Sequence, residues 1–211
     1  MLRSEAVAIV KQVLGYRTNL DATIESNMRL QQTKLELMPT KPWFLLSEIS
    51  YKVTVAEEPR VPLPLNFLDE YEEGCLWYMP DDTTKPDVPL TKDGYDVLVK
   101  NYLEEVPGPP EAYALTGNYF RLFPLPDSTY TIKMLYYKRD AILASDTENQ
   151  WLKWVPELLI GKTGALTAAS LRDFEAVKIF DRMTQESMML LENQNEARKH
   201  SNYDMQIGGK H

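Results

Sequence analysis

Proline distribution restricts the fold of this chain more than any other feature of its sequence. Proline lacks the backbone N–H that helices and inner strands use, so a dense group of prolines excludes long regular elements. Of the 14 prolines, nine lie between Glu57 and Pro110: Pro59, Pro62, Pro64, Pro80, Pro86, Pro89, Pro107, Pro109 and Pro110. This stretch is therefore predicted to form long loops and arms, with only a strand at Gly74 to Met79 and a short helix at Lys92 to Glu105.

Helical patterns precede the proline-rich stretch. Apolar residues at helical spacing predict a short helix that Ser4 caps and Gly15 stops. A second helix is predicted from about Asp21 to Leu37, and Pro39 ends it. The first segment is therefore predicted to be a helical pair.

Helical patterns return after Arg139. Asp146 or Thr147 can cap one segment, and Pro156 suits the first turn of the helix that follows. Asp173 can cap a last amphipathic helix that reaches roughly Lys199. The remaining tail has no periodicity and is predicted to be mobile until something binds it.

Strand patterns occupy the middle of the chain. Apolar residues alternate with polar ones at Ile49, Tyr51, Val53 and Val55, which indicates a strand. Residues 117–139 read GNYFRLFPLPDSTYTIKMLYYKR, two alternating aromatic-rich runs separated by turn-forming residues. They predict a β-hairpin that serves as scaffold. Its scaffold positions are Tyr119, Leu122, Phe123, Tyr130, Ile132 and Tyr136.

The order of these elements predicts a mainly α fold. It is an antiparallel helical bundle with a β-hairpin or small-sheet insertion and long proline-rich arms. The predicted parts are an N-terminal helical pair (1–42), a β-rich insertion with proline-rich loops and the hairpin (43–140), C-terminal helices that complete the bundle (141–200) and a flexible tail (201–211).

Charge and composition exclude several classes of protein. Lys and Arg total 23 against 31 Asp and Glu, a net charge of −8, which disfavours a nonspecific grip on DNA phosphates or an anionic membrane. No apolar stretch is long enough to span a membrane, and the N-terminus lacks the apolar core of a signal peptide, so a cytoplasmic location is the default expectation. Cys75, the single cysteine, is interpreted as a semi-buried small residue.

Residues that carry chemistry are sparse. Gly161-Lys162-Thr163 lacks the earlier glycine of a phosphate-binding loop, so helix packing is the favoured interpretation of Gly161 and Gly164. His200 and His211 have no nucleophile or metal partner at motif spacing. The sequence therefore predicts no catalytic residue, no metal and no cofactor.

Two acidic stretches leave an alternative open. Asp69 to Glu73 could offer the paired carboxylates of glycoside hydrolysis, whereas Asp81-Asp82 would need further oxygen ligands to hold a metal. Charge runs beside loops are usually solvated, which is the favoured interpretation of both.

A resemblance to a known family rests on features that recur in order through the second half of the chain. They are Gly117, Tyr119, Leu122, Pro124, Pro126, Asp127, Tyr130, Leu135, Tyr136, Tyr137, Leu143, the stretch 146–152 (DTENQWL), the stretch 156–161 (PELLIG) and the long helix after Asp173. Together with the N-terminal helical pair, this order resembles the head-to-tail adaptor (connector) proteins of tailed bacteriophages, especially those of short-tailed phages.

The resemblance implies a structural virion protein at the head–tail junction, assembled in the host cytoplasm. Family members form a ring, usually twelvefold, between the portal protein and the tail nozzle protein. Double-stranded DNA passes through without specific binding, which suits an acidic protein. Tyr203, Met205 and Ile207 of the tail are the candidate contacts with the portal or a neighbouring subunit.

Two other functions stay open at this point. One is a virion-associated peptidoglycan hydrolase that uses Glu70, Glu72 or Glu73. The other is a nucleic-acid-binding module in which hairpin aromatics, interleaved with Arg121 and Lys133, stack on bases. The acidic total and the lack of a basic cluster elsewhere favour a buried sheet face over base stacking.

Overall fold

Two compact units make up the chain, and the sequence of one interrupts that of the other. The computed structural model describes residues 1–39, 41–71, 74–80, 85–102, 106–141 and 149–207, with the backbone alone at residues 43 and 198–207. The helical unit comprises Met1–Leu46 and Asp140–His211, and the β unit comprises Ser47–Arg139.

Seven helices are present in the described residues. They are α1 (Arg3–Val13), α2 (Asp21–Glu36), α3 (Trp43–Leu46), α4 (Tyr95–Asn101), α5 (Gln150–Trp154), α6 (Pro156–Ser170) and α7 (Phe174–Ile207). All except α4 belong to the helical unit.

The N-terminal pair follows its predicted pattern. Helix α2 buries Ile24, Met28 and Leu35 along one stripe, and Gly15 adopts a left-handed φ of 70° just beyond α1, as a helix stop requires. The predicted Ser4 cap is wrong. The N-cap of helix α1 is Leu2, two residues earlier, and the first turn is closed by the Leu2 N–H, which donates to Glu5 Oε2 at 2.7 Å.

Helices α6 and α7 approach closely because two glycines lie on the contact face of α6. A Cβ added to Gly161 would lie 2.5 Å from Thr184 Oγ1, and one added to Gly164 would lie 2.3 Å from the Phe180 ring. Both distances are far inside van der Waals contact, so only glycine fits at this spacing. The helix-packing interpretation of Gly161 and Gly164 is confirmed.

A buried polar network ties the start of α5 to α2. Asn149 caps α5 by accepting from the Leu152 N–H at 2.9 Å, while its own amide donates to Gln32 Oε1 at 3.0 Å. Gln32 in turn donates to Glu36 Oε1 at 3.0 Å and to the Ala141 carbonyl at 3.2 Å. Each buried amide thus has its partners inside the unit.

The other predicted caps have different outcomes. Asp146 and Thr147 lie outside the described residues. Pro156 occupies the first turn of α6, and Asp173 Oδ1 accepts from the Ala176 N–H at 3.2 Å, both as predicted. Helix α7 continues to Ile207, past the predicted end at Lys199.

Eleven strands build the described part of the β unit: β1 (Ser47–Val53), β2 (Arg60–Pro62), β3 (Phe67–Glu70), β4 (Leu76–Met79), β5 (Val88–Pro89), β6 (Thr91–Lys92), β7 (Pro107–Gly108), β8 (Ala112–Thr116), β9 (Tyr119–Phe123), β10 (Leu125–Pro126) and β11 (Thr131–Lys138). The first sheet has the order β1-β11-β4-β5, with β3 also paired to β11. The second has the order β2-β9-β8-β6, and β10 pairs with β7.

The predicted hairpin is wrong, although both of its runs are strands. Strand β9 pairs with β8 and β2, whereas β11 pairs with β1, β3 and β4. Each strand therefore has both edges occupied by other partners. The stretch read as a turn instead contains β10, which pairs in parallel with β7, so it carries the chain from one sheet to the other.

The core of the β unit gathers apolar side chains from both larger sheets. They are Val61, Cys75, Leu76, Leu90, Tyr113, Phe120, Leu122, Ile132, Met134 and Tyr136. The Phe67 ring lies 5.8 Å from the Phe120 ring and 5.7 Å from the Tyr136 ring, measured between centroids. Aromatic packing across two sheets therefore holds this unit together.

These sheets overturn the predicted fold class. The chain is 45% helical and 26% strand, so it is not a mainly α bundle with a small insertion. Regular pieces in the proline-rich stretch are short, as predicted, but β2 to β7 pair into sheets instead of leaving the stretch as long arms. Two- to four-residue strands tolerate prolines at their ends because few ladder N–H groups are lost.

Candidate interaction surfaces

A polar cluster around Cys75 is the most chemically varied group in the β unit. The Cys75 N–H donates to the Tyr113 hydroxyl oxygen at 3.0 Å, and the thiol lies 3.6 Å from Glu70 Oε1. Lys92 forms an ion pair with the other oxygen of Glu70. Burial, reinforced by the nearby Glu70 charge, raises the pKa of Cys75 to about 12, so the thiol is protonated at neutral pH and is not a nucleophile.

Of the predicted acidic stretch Asp69 to Glu73, Glu70 belongs to this cluster. The Glu70 carboxylate is committed to Lys92 and Cys75, and its side chain is only 9% exposed. Asp69 accepts from the Glu70 backbone N–H at 3.0 Å. Glu72, Glu73, Asp81 and Asp82 lie outside the described residues. Within the described ranges, no three His, Cys, Asp or Glu side chains gather where they could hold a metal ion.

The aromatic scaffold positions are mostly internal. Leu122, Phe123, Ile132 and Tyr136 are buried, and the Tyr136 hydroxyl donates to Asn66 Oδ1 at 2.9 Å. Tyr119 and Tyr130 are half-buried. Their placement leaves few ring faces on which bases could stack, although the role of these residues as a functional scaffold stays a prediction.

Exposed apolar side chains collect on strand β1. Ile49, Tyr51, Val53 and the adjacent Val55 are 50 to 67% exposed. The sequence correctly predicts the strand, and the structure shows that its apolar residues are the exposed ones. Nothing in a two-residue alternation tells which face of a strand meets the core, because that depends on the partner strand.

Charge is divided unequally between the two units. Residues 47–139 contain nine Lys and Arg against 16 Asp and Glu, a net charge of −7, whereas the remainder has 14 against 15, a net charge of −1. The acidic surplus of the whole chain is therefore almost entirely a property of the β unit. Composition totals over the full sequence conceal this division.

The candidate contacts of the C-terminal tail lie on the last turns of α7. The backbone of Tyr203, Met205 and Ile207 is helical, while their side chains are outside the described part of the structure. Their role in binding stays a prediction.

What the described residues offer is binding surface. Among them, no helix combines the length and apolarity that a membrane crossing needs. The exposed apolar side chains of β1 are of the kind through which a protein contacts other macromolecules, and the charge of the β unit favours partners that are not anionic.

Comparison with known families identifies the kind of structural protein. Residues 21–205 match the family model described as SU10 adaptor protein, and the chain belongs to this family. The predicted resemblance to the head-to-tail adaptors of tailed bacteriophages is thereby confirmed. Membership implies a bacteriophage virion component that contacts other virion proteins. None of the curated proteins searched matches the chain.

Proposed function

We propose that this protein forms a ring that joins the portal to the tail or nozzle of a bacteriophage and surrounds the path of the DNA. Family membership across residues 21–205 is the observation that carries the proposal. The ring is twelvefold by the resemblance. Its role is structural and not catalytic, in keeping with a family of structural adaptors.

The division of charge supports a DNA conduit and suggests which unit lines it. A lumen that lets a duplex pass must not hold its phosphates, and acidic side chains repel them. The β unit has a net charge of −7, so it is the unit expected to face the DNA. The test is a gel-shift titration with duplex DNA at moderate salt. Tight binding by the isolated protein would contradict the conduit.

Electron microscopy of the full chain mixed with portal protein tests the ring itself. Rings seated on one end of the portal are expected. Protein that stays separate from the portal, at concentrations where each partner is folded, would overturn the proposal.

The tail residues are proposed to contact the portal or a neighbouring subunit. Replacing Tyr203, Met205 and Ile207 together by serine should prevent attachment while it preserves chain length, and deleting residues from Ser201 onward should do the same. Serine substitution of the exposed pair Met189 and Leu190 on the same helix is the matched control. Unchanged attachment of the triple variant would remove the tail from the interface.

A peptidoglycan-clearing assay separates the structural role from the hydrolase alternative. The Glu70 carboxylate is occupied by Lys92 and Cys75, so no clearing is expected. Clearing that disappears in Glu70→Gln would favour the enzyme.

A further inference from the structure

Strand β1 is an edge of the first sheet. It pairs with β11 over all seven of its residues without a bulge, from Ser47 opposite Tyr137 to Val53 opposite Thr131. On its other side, no strand of the described residues pairs with it. A regular edge of this length presents a row of unpaired backbone groups.

The outward backbone groups of β1 belong to its apolar residues. The Thr54 N–H donates to the Tyr130 carbonyl at 2.8 Å, which sets the alternation of the antiparallel ladder. Even-numbered residues therefore bond to β11, and Ile49, Tyr51 and Val53 direct their N–H and C=O groups toward the free edge. The exposed apolar side chains and the free hydrogen-bonding groups thus come from the same residues.

The two faces of β1 differ in polarity. Glu48, Ser50 and Lys52 share the face of Tyr136, Met134 and Ile132, their partners on β11, which are buried in the core. Ile49, Tyr51 and Val53 face outward and are at least 50% exposed. Neighbouring apolar side chains on an outer face are typical of a surface that another protein covers.

Other sheet edges in the described part of the β unit carry features that discourage pairing. Strand β2 ends in Pro62 and β5 ends in Pro89, while β6 has only two residues. Prolines and short strands are common ways to protect an edge. Strand β1 has no proline, no bulge and no charge on its outer face.

The sequence of β1 is complementary to itself about its central residue, Ser50. In an antiparallel pair of two copies centred there, Glu48 lies opposite Lys52 of the second copy, and Ile49 lies opposite Tyr51. Both relations occur twice because the pair is symmetric. Opposite charges and aromatic–β-branched pairs are the combinations that stabilise neighbouring strands. The same register places outward backbone groups opposite outward backbone groups along the strand.

We propose that two copies of the free chain associate through antiparallel pairing of their β1 edges, which joins the two five-stranded sheets into one continuous sheet. Glu48 keeps its present partners in this pair, since its Oε2 bonds to Lys138 and Asn66 and a carboxylate accepts up to about four hydrogen bonds. Lys52 of the second copy adds one more.

This pairing goes beyond the proposed ring. A two-fold contact uses the same patch on both partners and closes on itself, whereas neighbours in a ring meet through different patches. The β1 pair is therefore a state of the free protein that covers an association-prone edge before assembly. Because the test uses the free chain without portal, its failure and failure of the ring proposal are distinguishable.

Sedimentation velocity of the full chain, over protein concentrations from about 1 µM to about 1 mM, is the first measurement, because a contact between two short strands is expected to be weak. A monomer–dimer equilibrium is expected. Hydrogen exchange at low and high concentration should show that residues 47–53 gain protection in the dimer. A chain that stays monomeric across this range overturns the proposal.

Two variants test the contact itself. Tyr51→Pro removes an outward N–H from each copy while it leaves the ladder to β11 intact, and it should abolish the dimer. Lys52→Glu places like charges opposite each other twice and should weaken dimerisation about tenfold or more. Lys100→Glu, on the exposed side of α4 in the same unit, makes the same change in net charge and should have no effect.

Near-ultraviolet circular dichroism checks that each variant retains the native fold. If Tyr51→Pro unfolds the chain, the dissociation constant of the Lys52→Glu variant is the test of the β1 contact. A dimer whose dissociation constant is unchanged in Lys52→Glu, or in a folded Tyr51→Pro variant, would place the contact elsewhere and overturn the β1 pair.

Discussion

The two units of this chain are stabilised by different kinds of contact. In the helical unit, α6 and α7 approach until Gly164 meets the Phe180 ring, and the buried apolar residues of α2 lie along one stripe at helical spacing. In the β unit, Phe67, Phe120 and Tyr136 come together from three different strands. Close approach of helix backbones stabilises the helical unit, and pairing between strands that are distant in sequence stabilises the β unit.

Truncation of one large core ring in each unit should have the largest effect. Phe180 in the helical unit and Tyr136 in the β unit are no more than 1% exposed. Phe180→Ala and Tyr136→Ala should each lower the free energy of unfolding by about 3–5 kcal/mol. Hydrogen exchange measured segment by segment should show the main loss of protection in the unit that carries the substitution.

Equal loss of protection in both units, from either substitution, would contradict separate stabilisation of the two units. It would show that the chain unfolds as one cooperative body. No loss of stability in Tyr136→Ala would return the aromatic residues of the β unit to the list of binding candidates.

Glycine substitutions distinguish lack of space from backbone conformation. In Gly164→Ala the new Cβ meets the Phe180 ring, so a destabilisation of about 1–3 kcal/mol is expected from overpacking. Gly117 has open space around it but a φ of 61°, so Gly117→Ala should cost about 1–2 kcal/mol for the left-handed conformation.

Asparagine at the same positions sharpens the contrast, and urea unfolding measures it. Asparagine accepts left-handed φ values, so Gly117→Asn should recover most of the loss, whereas Gly164→Asn should be worse than Gly164→Ala. The same rank order at both glycines would contradict the assignment of one to space and the other to φ.

Prediction from sequence succeeds better for the helical unit than for the β unit, because helices depend on contacts within the segment and sheets depend on pairing between segments. Helix α2 and the Asp173 cap follow from contacts within a few residues of sequence, and the structure confirms them. Strands β9 and β11 are also visible as alternating patterns. Their pairing is not, because β11 takes its partners β1 and β4 from distant parts of the chain, and β9 pairs with the distant β2 as well as with its neighbour β8.

Some features of the candidate surfaces are also predictable from the sequence, and others are not. The absence of a catalytic motif and the resemblance to phage adaptors can be read from the sequence, and family membership agrees with the resemblance. The outward apolar face of β1 cannot be read from it, since alternation gives two faces without saying which one meets the core. The acidic surplus of the β unit requires the unit boundaries before it can be seen.

Removal of one ion pair in each unit should change the free energy of unfolding by a smaller amount. In the β unit, Lys92 bonds to Glu70, whose side chain is 9% exposed, whereas Lys11 in the helical unit bonds to Asp21, which is 57% exposed. Lys92→Met leaves a buried carboxylate with one fewer partner and should cost about 1–2 kcal/mol. Lys11→Met should cost less than about 1 kcal/mol because water replaces the lost partner. Urea unfolding of both variants checks the order, and a larger loss from Lys11→Met would refute it.

Tyrosine ionisation should destabilise the β unit before the helical unit as pH rises, with the smallest effect at neutral pH. Burial, together with the neighbouring Glu48 charge, raises the pKa of Tyr136 to about 12, above the value of about 10 in an unfolded chain. The unfolded state therefore loses this proton first as pH rises. The stability that the protonated hydroxyl contributes is complete below pH 10 and is lost between about pH 10 and 12. Burial also raises the pKa of Tyr113, so alkaline loss of protection should begin in the β unit.

Tyr136→Phe tests this assignment because it removes the ionising group and keeps the ring. At pH 7 it should cost about 1 kcal/mol, the net value of the hydrogen bond to Asn66. From pH 10 to 12 the variant should lose less stability than the wild type, so the two curves converge or cross. Tyr16→Phe in the helical unit, where the ring is 67% exposed, is the matched control. Parallel curves for Tyr136→Phe and the wild type would mean that a different group controls the alkaline transition, and Tyr113→Phe would then be the variant to measure.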